Sequence, residues 1–154
     1  MISPLALKLA PQSISEVIGQ QHLLGKGKIL SNLIENKRIF SMILYGRPGI
    51  GKTSIAKAMM NDLGVRYRFL NATTSNKKDF DVVLEEAKMY DGIVLIIDEI
   101  HRMNKDKQDL LLPQLESGLI TLVGLTTSNP FHAINPAIRS RCQLFELKEL
   151  TNED

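Results

Sequence analysis

Short β-branched runs alternate along this chain with longer stretches in which apolar side chains recur every three or four positions. Residues 41–45, 65–70, 93–97, 120–125 and 143–147 read as strands. Between them, residues 52–63 read as a helix stopped by Gly64, and residues 78–89 place Phe80, Val83, Leu84 and Ala87 on one helical face. Residues 105–116 repeat Leu110, Leu111 and Leu115 on a helical period before Ser117 and Gly118, and Pro136 opens a short helix. Ahead of the first strand, residues 26–35 read as a helix and residues 16–25 as a mostly irregular lead. The run at 93–97, IVLII, has no polar interruption, as expected of a strand buried on both faces. Strands and helices in this alternation predict an α/β fold of three layers, a five-stranded mostly parallel sheet flanked by helices.

Composition narrows the picture only at its margins. With 154 residues, 44% hydrophobic and 23% charged, the chain can bury one substantial core without a metal or disulfide. Its single cysteine, Cys142, reads as a small buried hydrophobe, and its use of cysteine suits an intracellular protein. The apolar run at 93–97 ends at once in two acids and is far shorter than a membrane span, so no membrane role is expected. A formal net charge of +2 permits a nucleic-acid partner without arguing for one.

The chemistry is concentrated where strands end. Gly46, Arg47, Pro48, Gly49, Ile50, Gly51, Lys52 and Thr53 fit the spacing Gly, four residues, Gly-Lys-Thr between a strand and a helix. Glycines there let the backbone curl so that successive N–H groups face inward, and the following helix adds unpaired donors and its positive end, making a phosphate cradle. Lys52 is then placed to reach the β- and γ-phosphates of ATP, and the Thr53 hydroxyl to ligate Mg2+.

Strand 93–97 delivers Asp98 and Glu99 to its C-terminal end, where ligands sit in open parallel sheets. Asp98 suits Mg2+ coordination through water, and Glu99 suits polarising the water that attacks the γ-phosphate. An aspartate alone serves a nucleotide switch; the added glutamate argues for hydrolysis. His101 reads as structural, since three histidines without ligand spacing make no zinc site. After strand 120–125, the hydroxyl of Thr127 or the amide of Asn129 is placed to position water or sense phosphate loss, while a capped turn accounts for the same residues. Arg139 and Arg141 read either as solvated cations or as arginines too distant for their own nucleotide and available to a neighbour's. Lys77, Lys78, Lys105 and Lys107 are candidate DNA-phosphate contacts, with solvated helix-end lysines as the plainer account.

In order along the chain, SMILYGRPGIGKT (41–53), IIDEIHR (96–102), GLTTSNP (124–130) and Ser140-Arg141-Cys142 resemble the AAA+ ATPases of the clamp-loader clade. They are most similar to the replication-associated recombination protein A group, relatives of the Werner-helicase-interacting ATPase. The opening residues Pro4, Leu5, Ala6 and EVIGQQHLL (16–24) fit the same group. The resemblance spans essentially the whole chain and implies a P-loop AAA+ nucleotide-binding subdomain over 1–154, with the helical lid and C-terminal oligomerisation domain lying outside it.

It further implies that Val17, Ile18, Gly19 and Gln20 line an adenine pocket, that Asp98 and Glu99 form the Walker B pair, that Thr127 is the first sensor with Asn129 close by, and that Arg141 is a finger supplied in trans. Expected from the likeness are ATP and Mg2+ as cofactors and a homo-oligomer, a tetramer or ring. Partners include single-stranded or forked DNA and replication proteins such as single-stranded-DNA-binding protein, in a nucleoid-associated cytoplasmic setting. Two departures stand out: Ala10-Pro11 replaces the group's usual Arg-Pro, and Arg47 and Ile50 replace commoner loop residues, neither removing a phosphate-binding backbone group. The expected function is a DNA-dependent ATPase in fork maintenance, recombination and repair. The alternatives are another AAA+ DNA motor, such as a clamp-loader subunit or a branch-migration motor, and a nucleotide-gated scaffold with little turnover.

Overall fold

In the computed structural model, the described residues are 39–47 and 51–147. The expected helix at 26–35, the lead at 16–25, Val17 to Gln20, and Pro48, Gly49 and Ile50 lie outside them. Five strands form one sheet in the order β2-β3-β4-β1-β5: β1 (Met42–Tyr45), β2 (Tyr67–Asn71), β3 (Ile93–Asp98), β4 (Ile120–Thr126) and β5 (Gln143–Glu146). All four strand pairings are parallel. The helices are α1 (Lys52–Leu63), α2 (Lys77–Tyr90), α3 (Lys105–Ser117), α4 (Pro130–Ala133) and α5 (Pro136–Arg139), with a 3-10 turn at Ile100–Arg102.

The sheet separates two cores, which makes the three layers. On one face Met42, Leu44, Ile96, Val123 and Leu125 pack against Ile55, Met59, Met60 and Leu63 of α1. On the other, Ile43, Leu95, Ile97 and Leu122 meet Phe80, Val83, Leu84 and Ala87 of α2, Leu111 of α3, and Ile134 and Ile138. Alternate residues of the central strands therefore serve opposite cores, which is why 93–97 is apolar throughout.

Local chemistry sets the helix ends. Gly64, at φ 65, ends α1 by donating its N–H to the carbonyls of Met60 and Asn61. Asn76 and Asp79 form a capping box at the start of α2, each side chain accepting the other's backbone N–H at 2.9 and 2.8 Å. Asn104 caps α3 by accepting from Lys107 N at 2.9 Å.

The observed bounds differ from expectation at a few places. β2 runs to Asn71 because its register carries it to Asp98 of β3, and it starts at Tyr67 rather than at residue 65. β5 closes at Glu146, though Leu147 N still donates to Tyr45 O at 2.7 Å. Helix α4 arises where only a polar turn was expected, because Asn129 caps it and Pro130 occupies its first position.

The topology also places a crevice. β1 feeds α1 on one face, whereas its neighbour β4 feeds α4 and α5 toward the other, so the chain parts at the C-terminal ends of β1 and β4. In open parallel sheets this parting is where ligands bind.

Candidate functional site

At the mouth of that crevice, α1 begins without a side-chain cap. Its N-cap, Gly51, lies at φ 95 and carries no side chain to cover the first-turn amides. Lys52 follows, and its buried side chain folds back so that Nζ donates to the carbonyls of Gly46 and Arg47, both at 3.0 Å. Burial pushes the Lys52 ammonium below its ordinary pKa, partly countered by the negative charge of Asp98. A free helix end beside a half-desolvated cation is an anion-receiving arrangement.

Gly51, Lys52, Thr53 and Ser54 of this helix start face Asp98, Glu99, His101, Arg102 and Thr127 across a cavity of about 380 Å³. Asp98 closes β3, and its Oδ1 accepts the N–H of Glu99 at 2.9 Å. The chain then turns sharply: Glu99 adopts the left-handed conformation at φ 53, which costs a non-glycine residue about 1–2 kcal/mol. That turn takes the Glu99 side chain off the strand line. Its Oε2 accepts from Thr73 Oγ1 at 2.8 Å and lies 3.8 Å from Arg102 Nε. A larger pocket, about 490 Å³, lies away from this chemistry, between Arg66 and Arg68 of the β2 edge and Val82 and Met89 of α2.

The sequence candidates separate on this geometry. Lys52, Thr53, Asp98, Glu99 and Thr127 come together at the cavity. Asn129 does not join them: its side chain accepts from Phe131 N at 2.9 Å and caps α4. Arg141 lies ahead of β5 and pairs at 2.7 Å with Glu116, near the end of α3 and ahead of β4. Both precede parallel strands, so both sit at the sheet rim opposite Asp98. That pair is solvent-exposed, whereas Arg139 donates to Phe131 O at 2.8 Å and stands over the Phe131 ring, tying α5 to α4.

His101 was read as structural, and it does bond within the fold, its Nδ1 lying 2.7 Å from Thr126 Oγ1, yet it also lines the cavity. Burial foremost, then the charge of Arg102, hold its pKa below the ordinary imidazole value against the pull of Glu99 and Asp98. Burial pushes the Cys142 thiol up to about 12, which fits a packed side chain and not a nucleophile. Lys107 is neither a solvated helix-end lysine nor free to face DNA, because its ammonium is taken up by the carbonyls of Ala72 and Ser75. Lys77, Lys78 and Lys105 are exposed.

Thr73 and Arg102 were missed as partners of Glu99. Parallel neighbours end at the same rim, so the polar segment after β2 meets the acids ending β3, a contact visible only once the strand order is known.

The donor set suits a Mg2+-bound triphosphate. Mg2+ takes one or two protein oxygens and completes its shell with phosphates and water. One hydroxyl, Thr53, and one carboxylate, Asp98, on the same cavity fit that demand, and no cluster of three or more metal-ligating side chains occurs among the described residues.

Comparison with known proteins agrees in kind. The sequence model of the family described as "ATPase family associated with various cellular activities (AAA)" matches residues 42–150. Replication-associated recombination protein A of Bacillus subtilis is 55% identical over 152 residues, covering 99% of this chain and 36% of that protein. The Escherichia coli K12 protein of the same name is 40% identical over 155 residues, covering 98% of this chain and 35% of its own length. Among solved structures, the Thermotoga maritima RuvB Holliday junction branch migration motor matches with a TM-score of 0.76 at 31% identity, over 91% of this chain and 49% of that one. The chain spans about a third of the length of the curated relatives it matches.

Proposed function

The chain belongs to the AAA family of ATPases, and on that premise we propose that it is the nucleotide-hydrolysing part of a DNA-associated motor acting in replication, recombination and repair. The observation that carries the reading is the convergence of Lys52, Thr53, Asp98, Glu99 and Thr127 on one cavity at the C-terminal rim of the sheet.

In this reading the residues divide the work as follows. The backbone N–H groups of Gly49 to Thr53 cradle the phosphates, and Lys52 exchanges the carbonyls of Gly46 and Arg47 for the β- and γ-phosphate oxygens. Restored negative charge there raises the depressed pKa of Lys52 and holds it as a cation. Thr53 and Asp98 would hold Mg2+, which would supply charge neutralisation to the phosphates. Glu99 takes the proton of the attacking water. Thr127, on the same wall, positions that water or reads the loss of phosphate, while Asn129 serves as a helix cap. Val17, Ile18, Gly19 and Gln20 supply the adenine pocket.

Arg141 completes the site of a neighbouring subunit in a homo-oligomer, a tetramer or ring. Its ion pair with Glu116 is 42% and 48% exposed, so it is worth no more than about 1 kcal/mol and gives way readily on assembly. Two relatives at 55% and 40% identity carry the name replication-associated recombination protein A. They favour a fork-associated role over branch migration, toward which only a 31% likeness points. Single-stranded or forked DNA and replication proteins are the partners proposed, in a nucleoid-associated cytoplasmic setting.

The test is ATP turnover by the full-length protein with and without single-stranded, gapped and forked DNA, beside Glu99→Gln and Arg141→Ala. Glu99→Gln is expected to keep Mg2+-dependent ATP binding and lose about 10²- to 10⁴-fold in turnover. A Glu99→Gln protein that hydrolyses at the wild-type rate refutes the motor and leaves the nucleotide-gated scaffold.

A further inference from the structure

Lys107, the third residue of α3, spends its charge in an unusual place. Its Nζ donates to the carbonyl oxygen of Ala72 at 3.3 Å and to that of Ser75, and stands 5.6 Å from the centroid of the Phe80 ring. An ammonium has three donors and no acceptor. Here two of them close on main-chain oxygens of a single loop, that between β2 and α2.

The loop is a self-bonded hook. Asn71 Oδ1 accepts the N–H of Thr73 at 2.8 Å and of Thr74 at 3.2 Å, while Ser75 N donates to Asn71 O at 2.9 Å and Ser75 Oγ accepts from Asn71 N at 3.0 Å. Ala72 is buried, and its N–H donates to Asp98 O at 2.9 Å. Thr73 stands between the two carbonyls that Lys107 grips, and its hydroxyl bonds to Glu99. The gripping end is itself anchored. Gln108 Nε2 donates to Met103 O at 2.8 Å, and Asn135 Nδ2 donates to Gln108 Oε1 at 2.9 Å, so the start of α3 is tied to the turn before α5.

We propose that Lys107 is a positioning residue for hydrolysis: it fastens the hook at 71–75 to α3 so that the Thr73 hydroxyl fixes the rotamer of Glu99. This rests on the reading of Glu99 as the group that polarises water. An apolar side chain at 107 leaves two carbonyls, one on a buried residue, without their donor. The hook then loosens and Thr73 loses its hold, while Lys52, Thr53 and Asp98 keep their places, so turnover suffers and nucleotide affinity does not.

The experiment uses the full-length protein with Lys107→Met, Lys107→Arg, Thr73→Val, the Lys107→Met/Thr73→Val double variant and Glu99→Gln. It reads kcat and KM for Mg2+-ATP, and amide hydrogen exchange over residues 71–76 without nucleotide. Lys107→Met is expected to speed exchange at 71–76 and to lower kcat roughly tenfold, the effect of one lost hydrogen bond, with KM within about twofold. Lys107→Arg, which keeps donors for both carbonyls, restores most of the rate. Because both residues act through one contact, the double variant is no slower than the slower single. Should Lys107→Met fail to fold, Lys107→Gln takes its place under the same criteria.

A Lys107→Met protein with wild-type kcat overturns the proposal, as does unchanged exchange at 71–76 or a double variant whose loss is the product of the singles. Full turnover by Glu99→Gln brings down the underlying reading instead. An inert Glu99→Gln beside a fully active Lys107→Met overturns the Lys107 inference alone.

Discussion

Gly124 offers the sharpest test of how the sheet supports Glu99. It sits in the middle of β4, registered between Ile43 of β1 and Ile97 of β3. A methyl group added there meets Ile100 Cδ1 at 2.8 Å, Ile100 Cγ2 at 3.3 Å and Ile43 Cγ1 at 3.4 Å. The δ-methyl is the end of a flexible chain, but Ile100 is only 3% exposed and has little room to swing, and its γ-methyl yields only by a χ1 rotation of a β-branched side chain that is stiff at χ1. Overpacking of this kind costs about 1–3 kcal/mol. The loss of unfolded-state freedom on replacing glycine by alanine returns about 0.4–1 kcal/mol. The expected net loss for Gly124→Ala is therefore about 1–2 kcal/mol, or a Tm lower by roughly 3–6 °C for a domain of this size.

Ile100 follows Glu99 directly, so the same push disturbs the turn that carries the carboxylate, and turnover should fall with ATP affinity retained. Ile100→Val removes the offending δ-methyl at a cost of its own of about 0.5–1.5 kcal/mol. The double variant should then be more stable than the two single losses predict, by about 1 kcal/mol. Urea denaturation of the four proteins measures this. A Gly124→Ala protein as stable as wild type, or strict additivity in the cycle, refutes the packing argument.

Two further outcomes follow from the titrating groups. The folded-state pKa of His101 is depressed below its ordinary 6.5, so its contribution to stability is complete above that value and is lost as pH falls through the folded pKa. Denaturation midpoints measured below pH 6.5 should drop less steeply for His101→Asn than for wild type, and equal slopes would exclude the effect. The Cys142 thiol, raised from 9.0 to about 12, holds far less thiolate at neutral pH than an exposed thiol and should alkylate much more slowly. Labelling of the native protein at the free-thiol rate would contradict its burial.

What could be read from sequence was whatever is written in consecutive residues. The run at 93–97 announced a strand buried on both faces and carried Asp98 and Glu99 to its end, and Gly64 and Gly118 marked helix ends by their need for positive φ. Strand β2 was harder to bound because, among the described residues, it has one strand neighbour, and exposed Arg68 weakens its apolar signal. Contacts between separated segments were not legible. Thr73 is 26 residues from Glu99, and Lys107 is 35 from Ala72, and no local pattern encodes either meeting. Asn129 shows the converse limit: one side chain suited both a sensor and a cap, and only the fold shows that its oxygen is occupied by Phe131 N.

Arg141 sits beside Glu116 on the rim opposite the cavity. On the reading proposed here, each subunit owns two half-sites facing different neighbours and no complete one. Dilution then acts as an off switch: free subunits idle, and fuel is consumed only where enough copies have gathered on a template to close the contact between them.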